Sequence, residues 1–250
     1  MSASSHRGVG ICTYNRAGRL GDLIEAVLST AAGCRVVVAD DGSTDDTPAV
    51  VATFPDVLYL RGPNKGVAWN KNRALYALQE CSFVALLEDD LFPVRPGWFE
   101  IYETAARFLG VHHFCRVQDK EVEETLPEAS EALQQAYGWQ LVYGPSPRGD
   151  LTFVTRRALQ MVGGFSPEFI GPGHAHGEWS DRVFAAGLIP HPLKWIDVRE
   201  ARDCFEQRGD TEGGRWQQDT AVQQAQIEHN RAVRKRLRMS GVSHVPLEIG

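Results

Sequence analysis

The chain has 250 residues, a formal net charge of −6, and 43% hydrophobic and 23% charged residues, the balance of one sizeable globular α/β domain with no global attraction to nucleic acid. No apolar run approaches the roughly 20 residues of a membrane helix, and Met1–Arg7 lacks the apolar stretch of a signal peptide. Five cysteines (Cys12, Cys34, Cys81, Cys115, Cys204) with no C-x-x-C pair are expected as reduced thiols in a cytoplasmic setting, not as disulfides or zinc ligands.

Gly8–Cys12 is a short first strand ending in the polar tip Thr13-Tyr14-Asn15-Arg16. Leu20, Leu23, Ile24, Val27, Leu28 and Ala31 follow at helical spacing, stopped by Gly33. Arg35–Ala39 is a second buried strand and runs into Asp40-Asp41-Gly42-Ser43-Thr44-Asp45-Asp46. Ser43 or Thr44 is expected to cap the next helix, with the acids in its first turn. A strand at 57–60, a helix opened by Asn64-Lys65-Gly66 and running to about Gln79, and a strand at 83–87 complete the first ninety residues. Strand and helix alternate four times, the signature of a mostly parallel sheet flanked by helices.

Further on, Trp98–Leu109 is a one-faced helix and 111–115 a strand; 118–138 is an exposed excursion with some helix. Short strands are expected at 139–143 and 151–155, a short helix at 156–162, a Gly/Pro/His-rich loop at 165–176, a helix at 178–186 and a strand at 194–198. Residues 206–216 are polar and expected to be mobile. The last helix, about 217–239, carries Arg231, Arg234, Lys235, Arg236 and Arg238 near its end.

Phe83-Val84-Ala85-Leu86-Leu87-Glu88-Asp89-Asp90 is the informative stretch, because five apolar residues end in three acids. Parallel-sheet strands are buried on both faces, and ligands gather at their carboxyl ends. Adjacent carboxylates repel, and a hard divalent cation with its oxygen ligands offsets that charge. Right-handed crossovers bring the tips Thr13–Arg16, Asp40–Asp41 and Glu88–Asp90 to one edge of the sheet.

These motifs, taken in order, resemble glycosyltransferase family 2 with the GT-A fold: the Thr13–Arg16 tip, Asp40-Asp41-Gly42-Ser43-Thr44-Asp45, Asn64-x-Gly66 with Asn72, Glu88-Asp89-Asp90 at the D-x-D position, and Arg156–Phe165 before the acceptor loop. The resemblance implies one catalytic domain over 1–205, with a nucleotide-sugar half at about 8–92, a partly antiparallel acceptor half at about 93–205, and 206–250 packed on it or extending from it. It implies a UDP-sugar donor and Mn2+ or Mg2+ as a Lewis acid for the departing diphosphate. Asp90 is then the main metal ligand. Glu88 acts through water or on the ribose, Asp89 touches the sugar, and Asp40 either accepts from the uracil ring or caps a helix. Asp41 shares those two readings. Thr13, Asn15, Arg16, Asn64, Lys65, Gly66 and Asn72 complete the nucleotide-sugar set.

On the acceptor side the resemblance places the base at Glu178 or Asp181, in His174-Ala175-His176-Gly177-Glu178-Trp179-Ser180-Asp181. Trp179 stands where relatives carry a second acid, which leaves inverting and retaining chemistry both open. His176 is the first choice among His174, His176 and His191 as a further metal ligand, and Trp179 and His174 are candidate acceptor contacts. The acceptor is a glycan or another hydroxyl compound. The basic last helix also suits phosphate contacts, so hydroxymethylated bases in DNA are an alternative acceptor. A nucleotide-sugar-binding module without transfer is the reading from another class. A nucleotidyltransferase is disfavoured because Thr13–Arg16 contains no glycine and one cation.

Overall fold

The computed structural model describes residues 6–117, 124–125, 127–189, 194–208 and 220–247. Its first elements are β1 (Arg7–Thr13), α1 (Ala17–Thr30), β2 (Arg35–Asp40), α2 (Thr47–Val51), β3 (Leu58–Arg61), α3 (Val67–Leu78) and β4 (Phe83–Glu88). Then come β5 (Leu91–Pro93), α4 (Trp98–Leu109), β6 (His113–Val117), β7 (Glu124–Thr125), α5 (Pro127–Tyr137), β8 (Leu141–Tyr143) and β9 (Pro147–Thr155). The chain ends with α6 (Arg156–Val162), α7 (Ala175–Ala185), β10 (Ile196–Val198), α8 (Arg199–Arg202), β11 (Phe205–Gln207) and α9 (Thr220–Ser240).

The apolar runs pair as a six-stranded sheet in the order β3-β2-β1-β4-β9-β6. Strands β1 to β4 run parallel, and β9 runs antiparallel to both β4 and β6. A three-stranded antiparallel sheet, β10-β8-β7, and the β11-β5 pair complete the strands. Strand β1 lies between β2 and β4 and aligns their ends: Thr13 lies opposite Asp40, and Cys12 opposite Glu88.

Helix α3 approaches β1 closely enough to require glycine there. A Cβ on Gly8 would lie 2.8 Å from Leu78, and one on Gly10 would lie 2.7 Å from Leu86 and 3.0 Å from Ala74. The alternate side chains of β4 point to the other face, where Phe83 stacks on Phe153 and α4 adds Phe99 and Tyr102 to Phe153.

The structure alters several sequence expectations. Helix α2 begins at Thr47, three or four residues later than the expected cap, and has no acid in its first turn. Ser43 instead donates to Asp40, and Asp45 accepts from the backbone N–H groups of Ala17 and Thr47. The strand expected at 151–155 starts at Pro147 and joins the central sheet. Elements β5, β11 and α8 are three or four residues long, too short to show a period. Of the segment expected to be mobile, 206–208 is ordered through β11 and 209–216 lies outside the described residues. Among the described residues no helix is long and apolar enough to cross a membrane.

Asp197 on β10 is fully buried beneath α4, where Tyr102 donates to it at 2.6 Å and the Val198 N–H at 2.8 Å. Burial pushes this carboxyl up to about 7, against those hydrogen bonds and Arg116. An acid whose folded pKa lies above its unfolded value near 4 holds a proton that the unfolded chain has released. Stability therefore falls as pH rises between about 4 and 7, by roughly 1.4 kcal/mol per pH unit at most. Asp197→Asn is expected to remove that slope in denaturant titrations across this window, and an unchanged slope would show that Asp197 is not its source.

Candidate active site

Three strand tips meet at the carboxyl edge of the parallel sheet, and hydrogen bonds stitch them together. Asn15, in the left-handed region at φ 53, donates its N–H to Ser43 Oγ at 2.8 Å and accepts from the Thr44 N–H at 2.8 Å. Asp40 is fully buried: Oδ1 accepts from the Ser43 N–H and hydroxyl at 2.8 and 2.5 Å, and Oδ2 from Tyr59 at 2.5 Å. Gly42 lies at φ +84, and a Cβ there would meet Gly62 O at 2.8 Å and Asn64 N at 2.9 Å; only glycine fits this turn. Asp41 accepts from the Lys65 and Gly66 N–H groups, both at 2.9 Å, and so holds the entry to α3. Asn64 is exposed at the same turn, and the Lys65 ammonium lies 4.9 Å from the Trp69 ring.

The acids at the end of β4 meet partners from three directions, two of them cationic. Lys71, buried on α3, donates to Glu88 at 3.0 Å and to the Gly149 carbonyl at 2.7 Å. Arg16 lies 3.5 Å from Asp89, and the Tyr14 N–H points at the same carboxylate at 3.4 Å. Burial raises Asp89 to about 6, opposed by Arg16 and reinforced by Glu88 and Asp90. Asp90 accepts from the Gln207 side chain at 3.0 Å, and its carbonyl accepts from the Arg208 N–H. A fourth acid, Asp150, is held by Arg116 at 3.0 Å and Arg148 at 2.9 Å. Burial raises it too, and Glu88 and Asp90 add to that rise.

This donor set fits a hard divalent ion of the kind that takes one or two carboxylates and completes its shell with phosphate oxygens and water. Glu88, Asp89 and Asp90 are all oxygen donors on one strand end. Burial penalises the ionised form of Asp89, and a cation bound there would favour it.

The acceptor-side residues are arranged differently from the sequence expectation. Glu178 is 2% exposed, and Arg182 grips both of its oxygens at 2.7 and 3.1 Å while donating to the Val162 and Gly164 carbonyls. That is a structural clamp between α6 and α7, not a base open to a substrate. Asp181 pairs with both Lys194 and Arg234. Trp179 is core: its indole donates to Gly163 O at 2.9 Å, and its ring packs on His113 and Phe165, so it offers no stacking surface. His176 is buried with His113 and Cys115, their ligand atoms within 4.8 Å of one another and none of the three β4 acids in the group. His174, in the left-handed region at φ 66, is the N-cap of α7. His191 lies outside the described residues.

Asn72 exchanges two hydrogen bonds with the Phe165 backbone at 2.7 and 2.8 Å, so it positions the 165–174 loop where the sequence suggests a sugar contact. Asn230 on α9 does the same further along. Its Oδ1 accepts from the Ile170 N–H, and its amide donates to Ile170, Pro172 and Gly173 carbonyls at 2.7 to 3.1 Å. Sequence reasoning passed over Lys71, Asp150 and Asn230. Lys71 was signalled by its place on the apolar side of a helix; a polar residue in a polar helix, as Asn230 is, carries no such signal.

A parallel sheet of this order, with an acidic strand end beside two polar tips and an antiparallel half, defines the GT-A class of sugar-nucleotide transferase folds. The sequence over residues 8–143, more than half of the chain, matches the family described as "Glycosyl transferase family 2", and the chain belongs to that family. No curated protein matches it. One solved structure with this fold is the mannosyltransferase PcManGT from Pyrobaculum calidifontis in complex with GDP-Man and Mn2+, at TM-score 0.50 and 20% identity over 73% of this chain and 52% of that one. GalNAc-T7 with UDP, GalNAc and Mn2+ superposes at TM-score 0.68 and 13% identity, over 92% of this chain and 47% of that one. Glucosyl-3-phosphoglycerate synthase from Mycobacterium tuberculosis, with Mn2+, UDP-glucose and phosphoglyceric acid, does so at TM-score 0.58 and 14% identity, over 96% and 81%. The chain spans about half the length of the first two. At these identities the likeness is one of fold.

Glu178→Ala separates the clamp from the base. Removing one member of a buried pair costs about 3–5 kcal/mol, so the melting temperature is expected to fall by roughly 10 °C. An unchanged melting temperature with lowered turnover would return Glu178 to the role of base.

Proposed function

We propose that the protein is a metal-dependent glycosyltransferase that moves a sugar from a UDP-sugar to a hydroxyl acceptor. The observation that carries this is the acid cluster of Glu88, Asp89 and Asp90, set beside the Asp40–Ser43 loop and the Asn15–Arg16 tip on one sheet edge. Such an edge suits a ligand with a base at one end and a diphosphate at the other. Family membership and the Mn2+ in the three fold relatives support a metal-dependent glycosyltransferase, and the UDP or UDP-glucose of two of them supports a UDP-sugar, the third holding GDP-Man.

In this reading Asp90 and Glu88 hold a Mn2+ or Mg2+ ion, which supplies Lewis acidity to the departing diphosphate. Arg16 offers a cation to the same phosphates from the end of β1. Lys71 holds Glu88 in place from below. The turn closed by Asp40, Ser43 and Tyr59 forms the wall against which the nucleoside lies, with Lys65 and Asn64 at its rim. Asn72 and Asn230 hold the 165–174 loop across the sugar end. The alternative, a module that binds a sugar nucleotide without transferring the sugar, shares this donor half and differs in turnover.

A mass-spectrometric screen of UDP-sugars with Mn2+ and a mixed acceptor panel tests the proposal. Release of UDP is expected with at least one donor, abolished by chelation. Asp90→Asn should lower it by about 10²–10³-fold, the usual effect of removing one electrostatic stabiliser of a transition state. UDP binding with no release from any donor would support the binding module, and full activity in Asp90→Asn would remove the metal assignment.

A further inference from the structure

We propose that the groove between α7, the 194–195 segment and α9 is a binding site for a compact phosphate-bearing group, and that it receives the phosphate of the acceptor. The binding itself is independent of the transferase reading; the acceptor role rests on it.

The groove has a volume of about 600 Å³ and is lined by His174, Lys194, Trp195, Arg231, Arg234, Lys235, Arg238 and Met239. Four of its cations, Arg231, Arg234, Lys235 and Arg238, recur at i, i+3, i+4 and i+7 along α9, which is one helical face. The opposite face carries buried Val233 and Leu237. Like charges at this spacing repel, and favourable interaction with the helix dipole is confined to the last turn. Arg231 lies more than two turns before Ser240, so the dipole does not account for the stripe. Arg236, off the stripe, is paired with Glu168.

Asp181 is the acid that faces this set, and it holds Arg234 and Lys194 in place. Arg231, Lys235 and Arg238 have no ion-pair partner among the described residues. Five cations against one carboxylate leave a local excess of four positive charges, on a chain whose net charge is −6. Trp195 forms the apolar side of the groove, with Lys194 Nζ 4.5 Å and the Arg234 guanidinium 6.0 Å from its ring. Its buried indole N–H has no acceptor among the described residues. Cations thus converge on a space of small-molecule size, with no carboxylate in its lining. A concave pocket on an acidic protein suits a phosphate monoester or diester better than a duplex, which needs an extended basic surface.

The groove also lies beside the donor edge. Its upper lip, His174, ends the 165–174 loop, and Gly171 of that loop lies within 3.7 Å of where a Gly66 Cβ would sit, at the entry to α3. Asn230, one residue before the stripe begins, fastens the same loop. An acceptor anchored by its phosphate in the groove would reach its hydroxyl across this loop.

The test uses the full chain and inorganic phosphate as the probe, titrated calorimetrically at constant ionic strength, without metal, with and without excess UDP. The comparison protein carries Arg231→Gln, Lys235→Gln and Arg238→Gln, all exposed positions. Saturable phosphate binding that UDP leaves unchanged, and that weakens at least tenfold in the triple variant, is expected. No saturable binding, or binding that UDP displaces and the variant retains, overturns the site. Duplex DNA or phosphatidylserine vesicles binding more tightly than phosphate, with loss in the variant, would replace it with a polymer or membrane surface. With a donor identified, phosphorylated acceptors should show a KM raised at least tenfold in the variant and a kcat little changed. Equal KM in both proteins would remove the acceptor role and leave the anion site. Wild-type phosphate binding without any sugar transfer would sink the transferase reading alone.

Discussion

Lys71 brings a buried ammonium to within 3.0 Å of Glu88, and much of the donor edge depends on that contact. A lysine is seldom buried without a partner, because desolvating an isolated ammonium is costly. Here two partners come from different parts of the fold: Glu88 from the end of β4 and the Gly149 carbonyl from β9. The pair therefore ties α3 to the junction where the parallel strands give way to the antiparallel one. It also sets the charge at the site. Glu88 is met by Lys71, whereas Asp89 is met by Arg16 at 3.5 Å and the Tyr14 N–H at 3.4 Å, and burial holds its pKa up.

The 165–174 loop is shaped by amide side chains that imitate backbone. Asn72 and Asn230 each pair with main-chain N–H and C=O groups of the 165–174 loop, as a strand neighbour would. A loop this rich in glycine and proline has few internal hydrogen bonds, so its shape comes from outside. One anchor lies on α3 in the nucleotide half and the other on α9 near the chain's end. Helix α9 thus helps set the shape of this loop.

Much of the parallel sheet was legible because its signals are local. Arg35–Asp40 and Phe83–Glu88 are apolar runs bounded by charge, and α1 and α4 show a clear helical period. The co-location of the three polar tips followed from crossover handedness alone. The roles of single acids were less legible, because a carboxylate's function depends on what reaches it from distant residues. Asp40 reads as either a nucleobase contact or a helix cap, and the sequence does not show that Ser43 and Tyr59 reach its two oxygens. Glu178 reads as a base until Arg182 is seen to enclose it. That second case did carry a sequence signal: Glu178 and Arg182 are four apart, the spacing of a helical ion pair. Trp179 was the other clue, since a large apolar residue beside an acid at the start of a helix marks a face turned to the core.

The remaining contrast is one of charge. The donor edge gathers Glu88, Asp89, Asp90 and Asp150, and the flank of α7 and α9 gathers Lys194, Arg231, Arg234, Lys235 and Arg238. Neither cluster favours folding by itself, because each places like charges close together in the absence of a ligand. Asp181 relieves the basic cluster only in part, whereas Lys71, Arg16, Arg116 and Arg148 all reach the acidic one. In the proposed reading the acidic edge takes a cation and, through it, a diphosphate, and the basic flank takes an anion directly, with no metal between. The loop held by Asn72 and Asn230 is the boundary across which the two would meet.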